Sequence, residues 1–146
     1  MSTGEVRFNE CVQQKTLVKT GIMDESRARQ LLTLAEHREQ FWEEANLAEK
    51  YPSLYLEGHY EIIKELCTAI LAAEGWNALD HECMFAYIRK KQDIAIDIDY
   101  LLELKGTRND IGYRGLMITS NIWNGNKLIM RLTIRALKEY LRQTLS

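Results

Sequence analysis

PSLYLEGHYEIIKELCTAILAAEG, residues 52–75, decides the fold class. Pro52 suits the first turn of a helix, because its missing N–H would have found no intrahelical acceptor there. Beyond it Leu56, Ile63, Leu66, Cys67, Ile70 and Leu71 recur at helical spacing and form an apolar stripe that stops at Gly75. The same grammar extends in both directions. Before it, Asp24 or Ser26 is a candidate N-cap for a helix reaching about Lys50, with Leu31, Leu34, Ala35, Phe41, Trp42 and Ala45 at three- and four-residue spacing. After it, Asp80 caps a shorter helix carrying Met84, Phe85 and Ile88 and closing on Arg89, Lys90 and Lys91, whose charges complement the negative end of the helix dipole. A fourth helix starts at Asp97 or Asp99, carries Leu101, Leu104 and Ile111 on one side, and meets its stop signals at Gly112 and Gly115. A fifth starts at Thr119 or Asn121, with Met130, Ile134, Leu137 and Leu141 along one face.

The pattern predicts an all-α, antiparallel up-and-down bundle of four to five helices over residues 24–146. Residues 1–23 are less regular. There Phe8, Val12, Leu17 and Val18 suggest a short helix ending near Gly21, an arm or lid on the core. Ile94, Ala95 and Ile96 have the composition of a short strand, but no partner strand is evident.

Composition agrees with a helical domain. One Pro and eight Gly are too few for the many turns of an all-β protein, and 46% hydrophobic residues suffice for one core. Nineteen Lys and Arg against twenty-one Asp and Glu give a formal charge of -2, so any contact with RNA must be local. Cys11, Cys67 and Cys83 are odd in number and show no C-x-x-C spacing, which predicts three free thiols and no zinc site. No run of eighteen apolar residues and no signal-peptide pattern is present, so no membrane association and a cytoplasmic location are expected.

The informative positions are polar residues on apolar stripes. Leu101, Leu104, Arg108 and Ile111 follow one another at offsets of three, four and three, which puts a guanidinium on a hydrophobic seam. Burying it unpaired would cost several kcal/mol or roughly that order, so it needs a carboxylate, a phosphate or a wet cleft. A structural arginine paired with a neighbouring acid satisfies the same requirement. His59 shares the face of Ile63, Leu66 and Ile70 and is either a hydrogen-bonded core residue or an acid–base group that meets the fourth helix. His37 and His81 are expected to face solvent, and Tyr60 to pack with its hydroxyl at an edge. H-E-x-x-H, P-loop, G-x-S-x-G and G-x-G-x-x-G patterns are absent, so no metal or cofactor is implied.

Residues 104–115, LKGTRNDIGYRG, resemble the motif of HEPN domains, the helical nucleotide-binding domains of prokaryotes and higher eukaryotes. In that motif an Arg, usually followed by Asn, precedes a His or Tyr by five positions near the end of the penultimate long helix. The R-N-x-I-x-Y-x-G spacing resembles a stand-alone branch common in archaea. Residues 58–66, GHYEIIKEL, together with Gly75 and residues 81–83, HEC, are similar to the second helix of that branch and the loop after it. The resemblance spans about residues 24–143.

That resemblance implies a homodimer in which motif arginines line a shared cleft, and a ligand-binding set of Arg108, Asn109, Tyr113 and Arg114. It also implies partners: RNA, a nucleotide phosphate, or a minimal nucleotidyltransferase of the kind paired with HEPN toxins. Many members are metal-independent RNases in which the Arg steadies the scissile phosphate and a His moves a proton. Here the fifth position after Arg108 is Tyr113, and a phenol with a pKa near 10 is a poor base at neutral pH. The toxin-type Tyr two positions further on is Gly115 in this chain. A binding protein with weak or no catalysis is therefore expected. The alternative is an active metal-independent RNase, a toxin of a toxin–antitoxin pair, with Arg108, Tyr113 and His59 as its catalytic residues. On an ideal helix residues five apart diverge by about 140°, so Arg108 and Tyr113 converge only if the helix relaxes near Gly112.

Overall fold

The computed structural model describes residues 3–91 and 93–146. Residues 1 and 2 of the expected arm lie outside this part. Six helices and one small sheet follow in order: α1 (Thr3–Gln13), β1 (Leu17–Lys19), α2 (Glu25–Ala45), α3 (Pro52–Glu74), β2 (Trp76–Ala78), α4 (His81–Arg89), α5 (Ile98–Arg114) and α6 (Ser120–Leu145). The chain is thus mostly helical.

Side-chain caps set most helix starts. Asp24 accepts from Arg27 N, Asp80 from Cys83 N, Asp97 from Tyr100 N and Thr119 from Ile122 N, each satisfying an amide that the helix cannot. Pro52 stands in the first turn of α3, and Gly75 ends it in the left-handed region, φ 81°, as Gly115 ends α5. Gly112, expected as a stop, lies inside α5. The C-terminus of α2 falls at Ala45, short of Lys50, because Asn46 turns left-handed and the Tyr55 hydroxyl of α3 accepts from Leu47 N while donating to Trp42 O.

α3 is the axis of the fold and touches α2, α4, α5, α6 and β2. Its residues are buried on nearly every side, as a central helix requires. Contacts fix the directions of its neighbours. Arg38–Glu65 and the Tyr55–Trp42 bond make α2 antiparallel to α3, whereas Ser53 with Ile118, His59 with Trp123 and Glu74 with Tyr140 make α6 parallel to it. The four long helices therefore alternate in direction along the chain, and the parallel pair α3 and α6 meets across the middle. α6 also runs antiparallel to α2, joined by Glu36–Arg142 and Glu39–Lys138.

The strands lie elsewhere than expected. Ile94–Ile96 forms none; β1 pairs antiparallel with β2 through Leu17↔Ala78, Val18↔Asn77 and Lys19↔Trp76. This pairing and α1 fasten the N-terminal segment down. Phe8 is buried against Trp76 and Tyr87, with ring centroids 5.7 and 6.3 Å away.

The cysteine expectation is overturned. Cys11 of α1 and Cys83 of α4 form a disulfide, with their Cα atoms 5.8 Å apart and a sequence separation of 72. The cause is tertiary: α1 packs along α4 and brings two buried positions face to face, which local spacing does not reveal. Cys67 alone stays free, fully buried on α3, where burial pushes its thiol pKa up.

Candidate functional site

Arg108 sits on the inner face of α5, three-quarters buried, against α3. Three contacts hold it. One terminal nitrogen donates to Asn109 Oδ1 at 3.2 Å, another lies 3.9 Å from Glu61 Oε2, and the guanidinium carbon is 6.0 Å from the Tyr60 ring centroid. Asn109 therefore orients the guanidinium from the same helix, and α3 supplies its carboxylate and its aromatic wall.

The neutralisation is incomplete. Glu61 is also held by Lys64 at 2.8 Å, closer than by Arg108. The Nε of Arg108 is buried without a hydrogen-bond partner, the one such side-chain atom among the described residues. Such a donor costs about 1–3 kcal/mol when water is excluded and nothing replaces it. An arginine serving only the core would be expected to have this donor satisfied.

Sequence reasoning missed His81. Expected to face solvent, it is half-buried at the start of α4, its Nδ1 2.8 Å from the Tyr60 hydroxyl and its ring 5.8 Å from the Tyr60 ring. Tyr60 is fully buried and lies between His81 and Arg108. Burial, followed by the charges of Lys64, Lys105 and Arg108, holds the His81 pKa below its ordinary value, with Glu61 opposing. Burial also pushes the Tyr60 pKa well up, so it remains a neutral phenol. The signal for this cluster was the placement of polar residues one step off the apolar stripe of α3, at Tyr60, Glu61 and Lys64.

The remaining expected site residues go elsewhere. Tyr113 is 81% exposed, since α5 continues unbroken through Gly112 and keeps the two side chains on different sides of the helix. Arg114 is exposed and 3.7 Å from Asp110. His59 faces away from α5: its ring lies 4.7 Å from Trp123 of α6 and 6.5 Å from Trp42 of α2. Its Nδ1 bonds Tyr55 O at 2.7 Å. Burial lowers its pKa, outweighing that hydrogen bond, so His59 is a neutral core imidazole. The structure thus brings Arg108 and Asn109 together with Tyr60, Glu61 and His81, and leaves Tyr113, Arg114 and His59 apart from them.

Comparison of the chain with protein-family models, curated proteins and solved structures gives no match. What the site can do is therefore set by its own geometry and charge. Three cations around a half-buried histidine and one carboxylate favour an anion with several acceptor oxygens, which a phosphate group supplies. No helix among the described residues is long and apolar enough to cross a membrane.

Proposed function

We propose that the chain is a HEPN-like protein that binds the phosphate of RNA or of a nucleotide through Arg108, oriented by Asn109, with weak or no catalysis. The observation that carries the proposal is the under-neutralised guanidinium, whose buried Nε has no partner and whose carboxylate is shared with Lys64. Weak catalysis follows from placement: neither His59 nor Tyr113 reaches Arg108 within one chain, so the phosphate-binding group lacks either expected proton carrier. This disfavours the active-RNase toxin reading.

The same proposal includes a homodimer. Ile122, Leu128, Ile129 and Leu132 share one exposed face of α6 by helical spacing, and Tyr113, Leu116 and Met117 in the chain before it are exposed as well. A second copy packed there would cover it and leave the C-terminal end of α5 at the subunit boundary. A minimal nucleotidyltransferase is the competing occupant.

The test is binding of single-stranded RNA by native protein and by Arg108→Ala, with EDTA present and ionic strength varied. Native binding should weaken with salt, and the variant should lose most of it while keeping its helical circular dichroism. Equal binding by the two proteins overturns the proposal. Arg108-dependent cleavage in EDTA would establish the RNase reading instead.

A further inference from the structure

We propose that His81 is the titrating member of the Arg108 site, so that this chain binds phosphodiesters in a pH-gated manner, more tightly as His81 takes up a proton. The inference rests on the phosphate-binding reading and adds to it a residue on a third helix, α4.

The geometry is that of a relay across Tyr60. The phenol touches His81 Nδ1 at 2.8 Å on one side, and its ring faces the Arg108 guanidinium at 6.0 Å on the other. A hydroxyl both donates and accepts. When the imidazole is neutral with its proton on Nε2, the phenol donates to Nδ1; when it is charged, Nδ1–H donates to the phenol oxygen. His81 can therefore change charge without losing its anchor or moving. Its other nitrogen, Nε2, has no hydrogen-bond partner among the described residues, and it carries a proton in both of these states.

The surrounding charges set the direction of the gate. From α3 His81 senses Lys64 and Glu61, and from α5 Lys105 and Arg108. On its own helix stands Glu82, paired with Arg7 of α1, and before it Asp80, which caps the helix. Burial and the three cations keep the imidazole neutral near pH 7, in agreement with its lowered pKa. A phosphodiester placed on Arg108 adds a negative charge beside these cations and so raises the proton affinity of His81. By linkage, protonation of His81 must raise the affinity for the phosphodiester by the same factor. Each unit of pKa that the ligand adds tightens binding by up to about tenfold between the alkaline and acid limits.

The experiment uses the full chain and a 5′-hydroxyl oligouridylate, whose phosphodiesters and bases keep their charge between about pH 5 and pH 8. Affinity is measured by fluorescence anisotropy at both ends of that range at fixed ionic strength, for native protein, His81→Gln and Arg108→Ala. Glutamine keeps a hydrogen bond to the Tyr60 hydroxyl but cannot titrate. Native binding should tighten several-fold toward the acid end, His81→Gln should lose that gain, and Arg108→Ala should bind poorly throughout. An independent reading comes from native protein alone: the His81 ring resonances should titrate at higher pH when the oligouridylate is present. Arg108-dependent binding whose pH profile is unchanged in His81→Gln, or a His81 titration that the ligand does not move, overturns this inference and leaves the phosphate reading standing. Absence of Arg108-dependent binding at every pH overturns both.

Discussion

Replacing Arg108 by methionine should leave the fold as stable as before or more so, while abolishing the phosphate binding proposed above. The magnitude follows from what the side chain has and lacks. Its Nε is buried without a partner, a cost of about 1–3 kcal/mol that methionine removes. Since the side chain is one-quarter exposed, the lower half of that range applies. Against this stands the loss of the Glu61 contact at 3.9 Å, worth at most about 1 kcal/mol for a partly exposed pair, and Glu61 keeps Lys64. The Asn109 oxygen loses a donor but can turn to water, and the methionine stem preserves packing against the Tyr60 ring. The balance lies between no change and a gain of about 2 kcal/mol, or up to about 8 °C in Tm for a chain of this length. Urea and thermal denaturation followed by circular dichroism read the stability, and RNA anisotropy reads the binding. A loss exceeding about 1 kcal/mol with RNA binding intact would refute the reasoning, because Arg108 would then be serving the core.

The disulfide should contribute up to about 4 kcal/mol, the chain-entropy limit for a 72-residue separation, so Cys11→Ser with Cys83→Ser should shift the urea midpoint accordingly. Thiol titration of the unfolded, unreduced chain should find one free cysteine, Cys67, and three after reduction. Gly58→Ala should cost about 1–2 kcal/mol despite alanine's better helix propensity, because a Cβ there would stand 2.5 Å from three atoms of the Trp42 indole; a change in tryptophan emission should accompany it. Stability should fall on acidification in two stages. His59 and His81 both have lowered folded pKa values, so the unfolded chain binds their protons first and stability is lost as pH drops below about 6.5; this stage should shrink in His59→Phe and vanish when His81→Gln is added. Burial disfavours the charge on Glu74, but hydrogen bonds from Lys91, Tyr140 and Tyr87 outweigh it and lower its pKa, so its contribution is present above about pH 4.5 and lost below it.

Helix starts were legible because each is written in one residue whose side chain does the capping, as at Asp80 and Asp97. Stops were legible where glycine turns left-handed, at Gly75 and Gly115, and misread at Gly112, which only tolerates such a turn and is not required to make one. The end of α2 was hidden because it is fixed by the Tyr55 hydroxyl from the next helix. Strands of three residues are too short to show periodicity, and β1 pairs with β2 across the whole of α2 and α3. The site was half legible for a related reason. Helical phase along α5 identified Arg108 as out of place, but phase within one helix says nothing of which neighbour it meets. His59 and Tyr60 are adjacent in sequence, yet about 100° apart on α3. The first therefore faces Trp123 on α6 and the second Arg108 on α5.

That 100° step separates two histidine environments and decides which can matter to a ligand. His59 is enclosed by Tyr55, Trp42 and Trp123, and its Nδ1 proton is committed to the Tyr55 carbonyl. Charging it means charging an aromatic core, where burial outweighs the opposing charges of Glu39 and Glu43. His81 has a partner that tolerates both charge states and stands where Lys64, Lys105 and Arg108 make an incoming anion welcome. The motif spacing directs attention to Tyr113, five residues along α5 from Arg108. An unbroken helix instead turns that phenol outward into solvent. Tyr113 is thus apart from Arg108 within one chain, and the histidine linked to Arg108 through Tyr60 is His81 on α4.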